Sequence, residues 1–337
     1  MDKESRLKAE IIRGKRNAKL YADLSRGMSF HQIKRMTELA IEMDNMPAIK
    51  GLAISNQFAV AEALSSREGI RMLGRKASMG DGSAPELFFM LRSNLSEQTK
   101  PIFKRLTRQT ILKISRGIVG KGIRGSTYVQ VEATPDSEEF DVEATIENYI
   151  EKGYLTYEDI IAIERREKSK NGVLIFDTSG SLYGERFVTA ALAVAVLAYQ
   201  LAHDDYAVVL FNTKAYVIKH VEEKVTAEEV IDRILDSDSA GYTNISEALK
   251  VAGLELQKMK TKQKFGILVT DGVFNRGGDP RKYVNMFPTL HVLGLPSKHE
   301  WGERVCKDLA RKGRGRYIQV HSYKTIPQAI VKLLRDT

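Results

Sequence analysis

The chain has 337 residues, one cysteine and a formal net charge of +9. That length is enough for two domains with a core needing no covalent staples, and the single thiol, Cys306, excludes an intrachain disulfide, as suits a reducing compartment. The opening "MDKESRLKAEIIRGKR" lacks a secretory centre, and the most apolar run, Phe187 to Ala202, is shorter than the ~20 residues a membrane span requires, so the expectation is a soluble cytoplasmic protein with no membrane contact.

The charge is unevenly placed. Residues 1–121 carry 23 Lys and Arg against 12 Asp and Glu, whereas residues 122–337 carry 29 against 31. Within the basic half, Gln98 to Gln130 holds eight basic residues and no acid, a stretch able to attract a phosphate backbone or an acidic protein face. A solvated helix face is the alternative and the preferred reading, because no aromatic interleaving or RNA-binding signature accompanies the basic stretch.

In chain order, residues 1 to 120 read as helical. In "LAISNQFAVAEALSS" the spacing places Ile54, Phe58, Ala61 and Leu64 on one face, and Ile111, Ile114 and Ile118 share another. Between them Gly74 to Leu87 reads as a Gly/Ser loop in which Ser83 and Pro85 suit a helix start. Neither a strand-rich segment nor a fixed repeat interrupts this half, and it reveals no site. Residues 126–170 read as a connector: an alternating strand from Thr127 to Glu132, an acidic turn, a helix over Val142 to Glu151 and a second, charged segment. The expected division is a basic helical domain at 1–125, the connector at 126–170 and a third unit at 171–337.

From Val173 onward strands and helices alternate. Strands are predicted at Val173 to Phe176, Tyr206 to Phe211 with a hairpin partner Ala215 to Lys219, Phe265 to Thr270, Thr289 to Leu293 and Arg316 to Val320. Helices are predicted at Gly184 to Ala202, Thr226 to Leu235, Asn244 to Met259, Pro280 to Met286, Gly302 to Lys312 and Ile326 to Leu334, with Thr226 and Glu229 forming a capping box. This order predicts an α/β fold: a Rossmann-like, doubly wound, mainly parallel sheet covered on both faces, preceded by a mainly α-helical region. In such sheets ligands sit beyond the carboxyl ends of the strands.

Three separated pieces carry the candidate chemistry: "DTSGS" with Asp177, Ser179 and Ser181; "AGYTNISEAL" with Thr243 at a helix start; and "ILVTDG" with Asp271 closing a strand. If the two acid-bearing strands are neighbours, two buried like charges meet, which is tolerable with a cation between them. Hydroxyl and carboxylate oxygens are the ligands of a hard divalent ion, and no His or Cys lies in these pieces, which disfavours zinc. Capping of helices and turns explains each hydroxyl singly, but not two strand-end acids beside them.

The combination of Asp-x-Ser-x-Ser, the later Thr and the strand-end Asp resembles the metal-ion-dependent adhesion site of the von Willebrand factor type A family, over roughly Gly172 to Thr337. All five positions match, although the family's usual Met after the second serine is Leu182 here. The resemblance implies that Ser179, Ser181 and Thr243 contact the ion directly or through water, and that Asp177 and Asp271 act directly or one shell out. Mg²⁺ is the expected cofactor, with Mn²⁺ and Ca²⁺ as the other candidates. It implies binding rather than turnover, an Asp or Glu of a protein partner completing the coordination, so no enzyme is expected. A helical first half before such a domain is similar in architecture to the metal-binding subunit of magnesium chelatase and to CoxE-like proteins. Those proteins commonly work with a MoxR-type AAA+ ATPase, which implies an adaptor or co-chaperone whose partner supplies the nucleotide chemistry.

Two rival readings stand beside it. "FDTSG" also fits an aspartyl-phosphate nucleophile at Asp177, but phosphotransferases of that kind want a second acid where Ser179 stands, leaving no general acid. A resemblance of the second half to the C-terminal domain of Ro-type ring proteins makes the basic half a candidate RNA-binding surface. "GKGIRG" at 120–125 precedes a strand rather than a helix, against a dinucleotide site, and neither a phosphate-binding P-loop nor a G-x-S-x-G elbow occurs. His203 and His299 read as cap or surface residues, and Trp301 and Asn275 are placed on the same rim as the ion.

Overall fold

The computed structural model of the chain describes residues 2–119, 126–167, 171–180, 185–201, 204–237, 241–261, 263–297, 299–321, 325, 329–330 and 332–333. Ser181, His203 and most of the helix expected at 326–334 lie outside the described residues. Among the described residues, eight helices fill the first half: α1 (Lys3–Arg13), α2 (Ala18–Ser25), α3 (Phe30–Glu42), α4 (Met46–Ser55), α5 (Gln57–Leu64), α6 (Arg67–Met79), α7 (Ser83–Leu91) and α8 (Lys100–Val119). Most start on a capping side chain; Ser29 and Gln32 form a full capping box on α3.

One expected helical face is corrected. The segment around Asn56 is two helices, because Asn56 adopts an extended conformation and caps α5 through Ala59 N–H. Ile54 and Phe58 consequently stand exposed while Ala61 and Leu64 are buried. The expectation assumed one continuous helical wheel, and Asn56 breaks the phase. The loop expected over Gly74 to Leu87 shrinks to residues 80–82, since α6 runs on to Met79 and α7 starts at Ser83; Gly82 holds the N-cap position without a side-chain bond, and the Asp81 carboxylate accepts from the backbone N–H and hydroxyl of Ser83.

In the middle of the chain, β1 (Ser126–Glu132) pairs antiparallel with β2 (Ile161–Glu167), and α9 (Val142–Lys152) lies between them in sequence. The charged segment read as part of a connector is thus a strand. Its run of Ile161, Ile163 and alternating charges is short and carries too many charges to stand out from a helix face.

The second half is an α/β layer. A six-stranded sheet has the order β5 (Ala215–Lys219), β4 (Tyr206–Phe211), β3 (Asn171–Asp177), β6 (Lys264–Thr270), β7 (Leu290–Gly294) and β8 (Arg314–Gln319), parallel except for β5. Helices α10 (Glu185–Gln200), α11 (Ala227–Asp236), α12 (Ile245–Lys258) and α13 (Glu300–Lys312) cover it. Residues 280–286 form a 3₁₀ helix rather than the α-helix expected. The chain leaves β3 toward β4 on one side and later returns to β6 on the other, so the carboxyl ends of β3 and β6 form the point where strand order reverses.

Strand parity sorts the core. Leu174, Phe176, Val208, Leu210, Ile267 and Val269 face one apolar cluster, and Val173, Ile175, Val209, Leu268 and Val292 face the other. The second cluster is completed by α12 and α13. The first is continuous with the N-terminal helices: Phe88, Leu91, Phe103 and Ile111 of α7 and α8 belong with Leu192, Val196 and Ile231 of α10 and α11. The basic stretch of α8 lies along this junction. Arg108 meets Asp232 at 2.6 Å, Lys104 meets Asp236 at 2.6 Å, and Arg116 reaches Tyr199 Oη at 3.1 Å and Glu228 at 3.4 Å. Part of the charge that the sequence offers to an outside partner is therefore directed at the acidic face of α11. Among the described residues no helix is long and apolar enough to cross a membrane.

Candidate metal centre

Strand β3 is buried at every position, and its apolar run carries the chain to Asp177, whose side chain is fully enclosed. Burying an ionised carboxylate costs several kcal/mol after relaxation. Burial, foremost, pushes the Asp177 carboxyl up to about 7, and the neighbouring Asp271 carboxylate adds to the rise. Hydrogen bonds from Ser179 and Thr270 oppose the shift without cancelling it. Ser179 N–H donates to Asp177 Oδ1 at 2.9 Å, and Thr270 Oγ1 donates to Asp177 Oδ2 at 2.6 Å.

Asp271 follows β6 directly and is also buried; its Oδ1 accepts from Val273 N–H at 3.0 Å. The turn after it requires Gly272, at φ 75°, a backbone conformation that glycine adopts without strain. Gly272 N–H donates to Thr270 Oγ1 at 3.1 Å, which fixes that hydroxyl with its own proton aimed at Asp177. Behind the turn, Gly302 of α13 lies so close that a Cβ there would stand 2.5 Å from Asp271 O. Cys306, on the same helix, has its thiol raised well above the ordinary range, first by burial and then by Asp271 and Asp177. It is an inert packing group rather than a nucleophile.

Thr243 is brought to this edge by a lattice of backbone bonds. Gly180 N–H donates to Gly241 O at 3.3 Å, Asn244 N–H to Asn212 O at 2.9 Å, and Tyr242 N–H to Thr213 Oγ1 at 3.0 Å. Thr243 N–H donates to Asn275 Oδ1 at 2.8 Å, and Asn275 N–H returns a bond to Thr243 O at 3.2 Å. The loops after β3, β4 and β6 and the loop entering α12 thus lock together at the strand-order reversal. Asp177, Ser179, Thr243 and Asp271 are all buried there, and the fifth expected residue, Ser181, lies outside the described residues.

Sequence reasoning missed Thr270, although it stands one residue before Asp271 in "ILVTDG" as a hydroxyl ending an apolar strand. Asn275, expected on the same rim, holds the Thr243 backbone through its side-chain oxygen. Trp301 does stand partly exposed, edge-on to Phe274 with ring centroids 5.6 Å apart.

The arrangement suits a hard cation. Two buried carboxylates that disfavour each other's charge, with small hydroxyls around them, form an oxygen-rich donor set whose electrostatic debt a divalent ion relieves.

Residues 173–273 match the von Willebrand factor type A domain. That span contains all five expected positions. Solved structures with similar folds include an aerotolerance-related membrane protein from Bacteroides fragilis, 18% identical, covering 50% of this chain and 100% of that chain with a TM-score of 0.42. A von Willebrand factor type A protein from Catenulispora acidiphila is 17% identical over 52% of this chain and 44% of its own, with a TM-score of 0.41. Proximal thread matrix protein 1 from the mussel byssus, in a form with a zinc-occupied MIDAS motif, is 21% identical over 50% and 47%, with a TM-score of 0.42. No curated protein matches the sequence.

Proposed function

We propose that the von Willebrand factor type A domain at residues 173–273 uses its carboxyl edge to bind Mg²⁺ through Asp177, Ser179, Ser181, Thr243 and Asp271. The observation that carries this is the enclosure of Asp177 beside Asp271 at the reversal of strand order, with the Asp177 carboxyl driven up to about 7. A divalent cation replaces the proton that this acid otherwise retains near neutrality. Mg²⁺ fits a set of two carboxylates plus hydroxyls, since it keeps waters and uses few charged ligands; Mn²⁺ and Ca²⁺ are the competing ions. When bound, the ion supplies a Lewis-acidic point at the protein surface.

The role is adhesive rather than catalytic: an Asp or Glu from a protein partner completes the coordination. The partner class is a MoxR-type AAA+ ATPase, for which this chain acts as adaptor or co-chaperone in the cytoplasm. The engagement of Lys104, Arg108 and Arg116 with α11 and Tyr199 favours this protein partnership over a nucleic-acid role for the basic half.

Two measurements test the reading. Titration of Mg²⁺ raises the melting temperature of the wild-type chain and leaves Asp177→Ala unmoved, because a ligand stabilises the state that binds it. A MoxR-type ATPase binds the immobilised chain with Mg²⁺ present and is released by EDTA. Ion binding that survives Asp177→Ala removes the site, and ATPase binding that survives EDTA removes the adhesive role.

A further inference from the structure

Three loops surround the ion-binding edge: residues 212–214 between β4 and β5, residues 241–244 before α12 and residues 272–278 after β6. They hold two bases, Lys214 and Arg276, and no acid. Both side chains stand exposed, and among the described residues neither meets a carboxylate. The acids that follow these loops are already engaged: Asp279 pairs with Arg281 at 3.1 Å, and Glu247 accepts from Asn244 Nδ2 at 3.1 Å. The rim is therefore positive in its own right, before any cation is bound at its centre.

Arg276 is held in place. Its guanidinium carbon lies 4.6 Å from the centroid of the Tyr242 ring, and its backbone N–H donates to Thr243 O at 3.2 Å. Tyr242 immediately precedes Thr243 and stands 51% exposed. A guanidinium stacked on a ring keeps the donors along its edge available, and the stacking lowers the cost of fixing it. Gly277, at φ 75°, turns the chain directly after Arg276, at a point where a Cβ would run into Asn244. Two residues before Arg276, Phe274 packs edge-on against Trp301, which remains 41% exposed. Loop 273–276 is thus braced by an aromatic ring at each end, and the exposed groups it leaves beside Thr243 and Asp271 are a Tyr, an Arg and a Trp. These are the residue types that dominate binding energy at protein interfaces.

We propose that the partner segment carries two carboxylates and an apolar residue: one Asp or Glu completes the ion, the second pairs with Arg276 on its Tyr242 platform, and the apolar side chain rests on Trp301. This names the partner's chemistry at the metal centre and rests on the adhesive reading of that centre. A segment with a single acid would cover Arg276 without pairing it, and leaving a covered charge unpaired discriminates against that partner.

Trp301 is the only tryptophan of the chain, so its emission reads docking directly. Synthetic peptides are titrated into the full chain at saturating Mg²⁺: one with a single Asp beside a Leu, and a matched set with a Glu added at increasing separations from that Asp. The best two-acid peptide binds about tenfold more tightly than its one-acid counterpart, the scale of one charge-assisted contact at a partly exposed site, and EDTA releases both. Arg276→Gln reduces the two-acid peptide to the one-acid level and leaves the Mg²⁺-induced rise in melting temperature unchanged. Tyr242→Leu, which removes the stacking face, causes part of the same loss. If Mg²⁺ raises the melting temperature of the wild type but the second acid adds nothing, this proposal is overturned and the ion site stands. A second-acid preference that persists in Arg276→Gln overturns it as well. A wild type whose melting temperature Mg²⁺ does not move removes the ion site and this proposal together.

Discussion

Thr270 Oγ1 donates to Asp177 Oδ2 at 2.6 Å while accepting from Gly272 N–H at 3.1 Å, so one hydroxyl on β6 fixes the acid that ends β3. The bond joins the two central strands at the place where their order reverses, and it orients Asp177 from behind. Groups that orient a metal ligand in this way typically govern affinity by about 10–100-fold. Thr270→Val keeps the shape of the side chain and removes the donor. Its expected effect is a weakening of Mg²⁺ binding within that range, read by isothermal titration calorimetry, with the fold retained.

Asp177 sets a pH dependence in the ion-free protein. Its folded-state carboxyl lies at about 7 against an ordinary 3.8, so between those values the folded chain holds a proton that the unfolded chain has released. The stabilisation contributed by this carboxyl is full below about pH 4, declines as pH rises through the window and is gone above about 7, a change on the order of a few kcal/mol. Asp177→Asn removes the titrating group, flattening the decline and abolishing stabilisation by Mg²⁺. Chemical denaturation across pH, with and without the ion, reads both effects; an Asn variant that keeps the wild-type slope assigns the dependence to another group.

Asp159 titrates in the opposite sense. The Lys152 ammonium, followed by the hydroxyl and N–H of Thr156, holds its carboxyl down at about 2. The tie of α9 to the turn after it is complete above the ordinary 3.8 and is lost as pH falls through about 2. The protection of the α9 amides, measured as exchange relative to the intrinsic rate at each pH, should fall over that acid window in the wild type and show no such transition in Asp159→Asn, whose protection is low throughout.

Gly302→Ala tests how closely α13 must approach the site. The added methyl meets Asp271 O at 2.5 Å and Val273 Cγ2 at 2.9 Å, and neither belongs to the flexible end of a long side chain. A loss of about 1–3 kcal/mol in urea unfolding is expected, since overpacking forces backbone to move. Mg²⁺ affinity falls with it, because the displaced backbone carries the Asp271 carboxylate.

The sequence by itself determined the α/β alternation from residue 173 onward. Runs such as Val173 to Phe176 and Tyr206 to Phe211 are apolar on both faces, which only a doubly covered strand tolerates. It also singled out Asp177 and Asp271, because an acid that closes a buried strand is out of place unless something compensates it. Tertiary structure alone decided that β3 and β6 are neighbours, which no local pattern encodes, and that Thr270 rather than a more distant group holds Asp177. It alone turned the basic face of α8 toward α11 and left α9 without a buried residue. Periodicity tells which residues share a face; what that face meets is settled by elements far away in the chain.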